Sequence, residues 1–183
     1  GKVLFSTEGN VTGSAAQAME PESLAAAVRT RMPAVGLMVK GPNGNLAFPV
    51  RVPVIRDGAV RYVLTAVVRP EAIGDVLVRQ SIPEGWTVSI FDAGNSRVAR
   101  SREDARFRGV PPSESLLQML ALMQDRKEYV GDSRNVDGIW MQTAVAKLEF
   151  SSWTAVLGAP RAVADDALQR TVIVYGLGLL VSL

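Results

Sequence analysis

Val52-Pro-Val-Ile-Arg-Asp-Gly-Ala-Val-Arg-Tyr-Val-Leu-Thr65 is a pair of apolar runs separated by Asp57-Gly58. An Asp-Gly step between such runs predicts a β-hairpin with a two-residue turn, because both central residues of that turn need positive φ. The pairing that follows sets Ile55 opposite Val60, Pro53 opposite Tyr62 and Arg51 opposite Leu64. Arg51 and Tyr62 are then expected on one sheet face with Ile55 and Leu64. Pro49 and Pro53 cannot donate to a ladder, so the strand that carries them is expected at a sheet edge.

Working outward, strand-like runs fall at 2–7, 34–40, 46–56, 59–68, 86–92, 96–101, 128–131, 138–148 and 153–159. Helices fit 21–32, 70–80, 113–124 and 161–170, with Leu116, Met119, Leu120 and Met123 forming one apolar stripe. Asn43-Gly44, Gly94-Asn95 and Asp137-Gly138 mark further tight turns. The organisation repeats. Glu22-Ser-Leu and Glu114-Ser-Leu open helices, Tyr62–Leu77 matches Trp153–Leu168, and Gly1–Thr7 matches Asn95–Ser101, all at nearly one spacing of roughly 90 residues.

Each copy would run strand, strand, helix and three antiparallel strands, an α+β arrangement of two tandem modules. The expected division is 1–68 for a first module, 69–84 for a connecting helix and linker, 85–160 for a second module and 161–183 for an exit segment. The first copy lacks the strand matching Trp86–Asp92, so an N-terminal cut is expected.

Composition narrows the function. The 183 residues include no Cys and no His, which removes disulfides, thiolate chemistry and the commonest general base and metal ligand. The net charge is +2 with both signs interleaved, unlike the basic face of a nucleic-acid binder. Signatures for a nucleophile elbow, a P-loop or a dinucleotide-binding loop are missing, and so is a calcium loop. No catalytic residue, metal ligand or cofactor is therefore assigned. The uncharged run Thr171–Leu183 is shorter than the about 20 apolar residues of a spanning helix, and reads as the start of one or as a buried terminal element.

Gly85-Trp-Thr-Val-Ser-Ile-Phe-Asp-Ala-Gly-Asn-Ser-Arg-Val-Ala-Arg-Ser-Arg102 resembles the first hairpin of a Cache-type, PAS-like sensor module. Ser152–Pro160 resembles the last strand of such a module, and the Asp57-Gly58 hairpin resembles the centre of its membrane-distal copy. The likeness covers nearly the whole chain in a double-Cache arrangement, although the usual long N-terminal helix is missing.

The resemblance implies a periplasmic or extracellular ligand-sensing domain on a membrane receptor, with a sensor histidine kinase as the leading output. A chemoreceptor or a cyclic-dinucleotide enzyme could carry the same module, and a soluble PAS-like or profilin-like scaffold is the other reading. Implied partners are a small molecule, the membrane through the C-terminal segment, and a second copy of the receptor; nucleic acid is not among them.

The candidate binding residues are Arg51 and Tyr62. A guanidinium on a mostly apolar sheet face needs an anion or hydrogen-bond partners, so these two are expected to line a pocket for a small anionic molecule. The competing reading is an edge-strand arginine reaching to water. Arg97, Arg100, Arg102, Arg106 and Arg108 form the densest basic stretch, suited to an acidic ligand or lipid headgroups, or to a solvated face with Glu103 and Asp104 as local partners. Trp86, Trp140 and Trp153 are expected to pack on the sheets or to form an aromatic cage. Asp165 and Asp166 read as helix-start carboxylates.

Overall fold

Asp57 and Gly58 both take positive φ, 52° and 71°, and close the expected two-residue turn. They join β3 (Leu46–Arg56) to β4 (Ala59–Val68), and Ile55 pairs with Val60 as anticipated. An irregularity between Val54 and Ile55 then shifts the register by one residue. Beyond it Val54 faces Tyr62, Pro53 faces Val63 and Arg51 faces Thr65. One inserted residue sends every later side chain of a strand to the opposite face. Arg51 and Tyr62 therefore lie on opposite faces of the hairpin, a correction to the expected pairing.

The computed structural model describes residues 3–7, 18–41, 43–123, 126–149 and 151–162. Its helices are α1 (Pro21–Thr30), α2 (Glu71–Val78), α3 (Asp104–Phe107) and α4 (Glu114–Met123). The remaining strands are β1 (Ala34–Val35), β2 (Val39–Lys40), β5 (Thr87–Phe91), β6 (Arg97–Arg100), β7 (Glu128–Arg134), β8 (Trp140–Lys147) and β9 (Thr154–Pro160). The protein is α+β, with all strand pairs antiparallel. One sheet holds β1 to β4, and the other runs β6-β5-β9-β8-β7.

Three expectations need correcting. Residues 3–7 form no strand. The single run expected at 34–40 is two short strands, broken where the Met38 N–H donates to Asp92 Oδ2 at 2.9 Å. And β3 is interior to its sheet, pairing with β1 and β2 on one side and β4 on the other. Its prolines sit where the first side has a gap: Pro49 falls between the Val50–Val35 and Ala47–Val39 pairs, and Pro53 lies past the last β1 pair. A missing N–H costs little there.

The two sheets share a core. Phe48 of β3 packs with Leu77 of α2, with Ile90, Val98 and Ala99 of the second sheet, and with Trp153. A second core lies on the other face of the second sheet, where Leu116, Met119 and Met123 of α4 cover Phe91, Val145 and Val156, the stripe anticipated from helical spacing. By contrast Val52, Tyr62 and Leu64 remain exposed along one face of the β3–β4 hairpin. Among the described residues no helix is long and apolar enough to cross a membrane. The expected exit helix beyond Ala162, Asp165-Asp166 and the run Thr171–Leu183 lie outside the described residues.

Candidate functional site

Arg51 is 1% exposed, and α1 explains why. Its Nη1 donates to the Glu20 carbonyl at 2.7 Å, to the Glu20 carboxylate at 3.1 Å and to the Ser23 hydroxyl, and its Nη2 donates to the Met19 carbonyl. Burial lowers its pKa from the usual arginine value, while Glu20 opposes that shift. The guanidinium thus locks the start of α1 onto β3, and reaches neither water nor Tyr62. Tyr62 is 57% exposed on the opposite face.

The basic stretch after β5 divides differently from a solvated face. Phe91 pairs with Arg97 and Ser89 with Arg100 across β5–β6, so both arginines point to the face covered by α4. Each is 3% exposed. Val98 and Ala99 between them face the shared core instead. Arg97 lies over the Phe91 ring at 4.8 Å and near Phe107 at 5.8 Å; Arg100 lies over Phe107 at 4.3 Å.

Their polar partners are unequal. Arg100 Nη2 reaches Asp137 Oδ2 at 2.8 Å, and its Nη1 is 3.7 Å from Glu103. Among the described residues no carboxylate comes within ion-pair distance of Arg97. Its Nη1 has only the Phe107 carbonyl, at 3.5 Å, and its Nε has no hydrogen-bond partner. Burial, reinforced by the neighbouring Arg100 and partly offset by the Asp137 carboxylate, lowers the Arg97 pKa to about 10, so the side chain stays charged at neutral pH. Arg106 is exposed and pairs with Glu103, as read from the sequence, whereas Arg108 is largely buried and pairs with Asp104 and with the distant Glu71 of α2.

The rest of this sheet face is unusually polar at its centre. Ser89, Ser133 and Thr143 are buried, with the Ser133 and Thr143 hydroxyls 2.9 Å apart. Thr143 is flanked across the ladder by Gly131 and Gly158, which contribute no side chain. Met141 and Met119 fill the space beside those glycines. Thioether chains are the apolar side chains that most readily repack around a guest.

An open cavity of about 760 Å³ lies at the start of α4, between Phe107, the Pro111–Ser115 segment and the Arg134–Gly138 turn. Its position is fixed by Ser113 and Ser115 at the start of α4. The Ser113 hydroxyl donates to the Arg134 carbonyl at 2.5 Å, and the Arg134 N–H donates to Ser115 Oγ at 2.8 Å. The turn is built by Asn135, whose Oδ1 accepts the N–H groups of Asp137 and Ile139, both at 2.9 Å. Phe107 and the residues flanking Asp137 thus join the cavity wall to the arginine pair. A smaller cavity of about 390 Å³ lies along another side of α4, near Asp92 and Lys147. The tryptophans form no shared cage among the described residues: Trp153 meets Phe48 edge to face, Trp140 carries the Arg134 guanidinium over its ring, and Trp86 opens the approach to β5.

No family model matches the chain, and no curated protein does. Solved structures do. The extracellular domain of mmHK1S-Z3, a histidine kinase by assignment, aligns with a TM-score of 0.62 at 12% identity, over 88% of this chain and 62% of that one. The periplasmic sensory domain of the Campylobacter jejuni chemoreceptor Tlp1 gives 0.57 at 14% identity, over 77% and 55%. The ligand-binding domain of Mlp24 with asparagine gives 0.51 at 16% identity, over 79% and 57%. The chain spans little more than half the length of such structures. The fold is therefore similar to that of extracytoplasmic sensory domains of histidine kinases and chemoreceptors, in agreement with the Cache-like, PAS-like resemblance of its sequence.

Proposed function

We propose that this chain is the ligand-sensing input region of an extracytoplasmic receptor, with a sensor histidine kinase as the leading output. The observation that carries this reading is the likeness of its two-sheet fold to sensory domains of that class. The semi-polar sheet face under α4 and its adjoining cavity supply a place for a small molecule. Two structures of this fold are described with amino acids bound, asparagine and isoleucine, which supports a metabolite of that size.

On this reading the last strand β9 passes the response to the segment after Arg161, the uncharged run Thr171–Leu183 enters the membrane, and the receptor works as a homodimer outside the cytoplasm. Binding shifts output only through a difference in affinity between two arrangements. The test is autophosphorylation of the membrane-embedded receptor across amino acids, organic acids and sugars. A change with at least one metabolite, lost when α4 is disrupted, is expected; an output indifferent to every small molecule would overturn the reading.

A further inference from the structure

We propose that Arg97 and Arg100 are the anion-recognising wall of the site under α4, and that the site takes a small carboxylate. The inference rests on the sensing reading above and names the ligand class. Two guanidiniums are buried side by side on one sheet face, yet only Arg100 has a close carboxylate, from Asp137. Asp137 acts on Arg97 only from beyond ion-pair distance, and a buried cation without a contacting counter-ion is costly. Here π-faces and one long carbonyl contact surround Arg97 instead. The same burial lowers the Arg97 pKa, yet the guanidinium is fully charged at neutral pH.

The geometry supplies an approach. Phe107 lines the cavity and also stacks on Arg100, while Val136 and Gly138 line it on either side of Asp137. Neither arginine lines the cavity, so a ligand would reach them past Phe107 and the turn that carries Asp137, the chain's own carboxylate partner of Arg100. An incoming carboxylate would take the fork of Arg97 and compete with Asp137 for Arg100, with the Ser133 and Thr143 hydroxyls deeper on the same face for a second polar group. Displacing Asp137 would also free the Asn135–Gly138 turn from β6, which gives binding a structural consequence.

The test is calorimetric titration and thermal shift of the full chain with acetate, pyruvate and succinate. Inorganic phosphate, glycerol and putrescine serve as controls, and receptor autophosphorylation is followed with the same probes. At least one carboxylate is expected to bind. Arg97→Met should weaken it by about tenfold or more, and Asp137→Asn should tighten it by removing the internal competitor. Arg97→Lys keeps the charge but loses the fork, so it should also bind more weakly, and it serves if the methionine variant does not fold. A carboxylate bound equally by wild type and both Arg97 variants, or a preference for phosphate, glycerol or putrescine, would overturn the inference and leave the sensing reading standing. If no probe binds and no metabolite changes receptor output, both fall.

Discussion

The Phe48 and Trp153 rings meet edge to face, with centroids 4.7 Å apart and planes inclined at 69°. Phe48 belongs to β3 of the first sheet and Trp153 leads into β9 of the second, so the contact crosses the boundary expected near residues 69–84. Both rings are buried in one core with α2 residues.

That contact predicts that the two sheets unfold as one cooperative unit. Phe48→Ala should cost about 3–5 kcal/mol, the range for truncating a buried phenylalanine. A double-mutant cycle with Trp153→Leu should return a coupling of about 0.5–1.5 kcal/mol. Urea unfolding followed separately by tryptophan fluorescence and far-UV dichroism should give coincident transitions. Two resolved transitions in the wild type would contradict the shared core.

Gly36 closes the space above Arg51. A Cβ there would overlap the Glu20 carboxylate, the Ser23 hydroxyl and the Pro49 ring. Those groups hold a buried ion pair and the start of α1, so they cannot yield freely. Gly36→Ala is expected to destabilise by about 1–3 kcal/mol, with backbone amides of α1 losing hydrogen-exchange protection before the second sheet does.

Much of this framework was legible in the sequence. Periodicity and turn chemistry located α1, α2, α4 and most strands to within a few residues, because each is long enough to show its period. The four-residue α3 is too short for that. The slip between Val54 and Ile55 falls in two almost continuously apolar runs, which have no alternation to mark the register, so the sequence offers no sign that Arg51 and Tyr62 part company. The burial of Arg97 and Arg100 was hidden for a related reason. Interleaved Glu103 and Asp104 read as a solvated face, yet those carboxylates follow β6 and pair chiefly with Arg106 and Arg108. The usable clue was the position of Arg97 inside a strand next to Val98 and Ala99, opposite Phe91.

Arg97 should be a stability liability when no anion is added. Replacing a buried, poorly paired charge by an apolar chain of similar length is neutral or stabilising by about 1–4 kcal/mol. Arg97→Met is therefore expected to raise the urea midpoint at neutral pH. The folded-state pKa of about 10 lies below the unfolded value, so the penalty on the charged form is present at lower pH and relieved as pH rises through that value. The stability gap between variant and wild type should be flat across the neutral range and narrow in strongly alkaline solution. A destabilised but folded Arg97→Met would show that the π-stacked guanidinium is itself a net structural contact.

Asp92 ties the first sheet to the β5–β6 turn through one oxygen while shaping the turn with the other. Its Oδ2 accepts the Met38 N–H at 2.9 Å; its Oδ1 accepts Gly94 N–H at 2.9 Å and Ser96 N–H at 2.8 Å. The side chain is buried, so none of these donors has water as a ready substitute. Asp92→Asn can keep the turn by presenting its carbonyl oxygen to Gly94 and Ser96, but its NH₂ group then faces the Met38 N–H, donor against donor. The cost should be about 1–3 kcal/mol, the penalty for one unsatisfied buried donor. Asp92→Ala orphans all three donors and should cost more. Hydrogen exchange separates the two effects. In the asparagine variant the Met38 amide should exchange faster while Gly94 and Ser96 stay protected, and in the alanine variant all three should accelerate. Equal protection of Met38 in wild type and Asp92→Asn would mean that the break between β1 and β2 is held by packing of Leu37 and Met38 and not by this carboxylate.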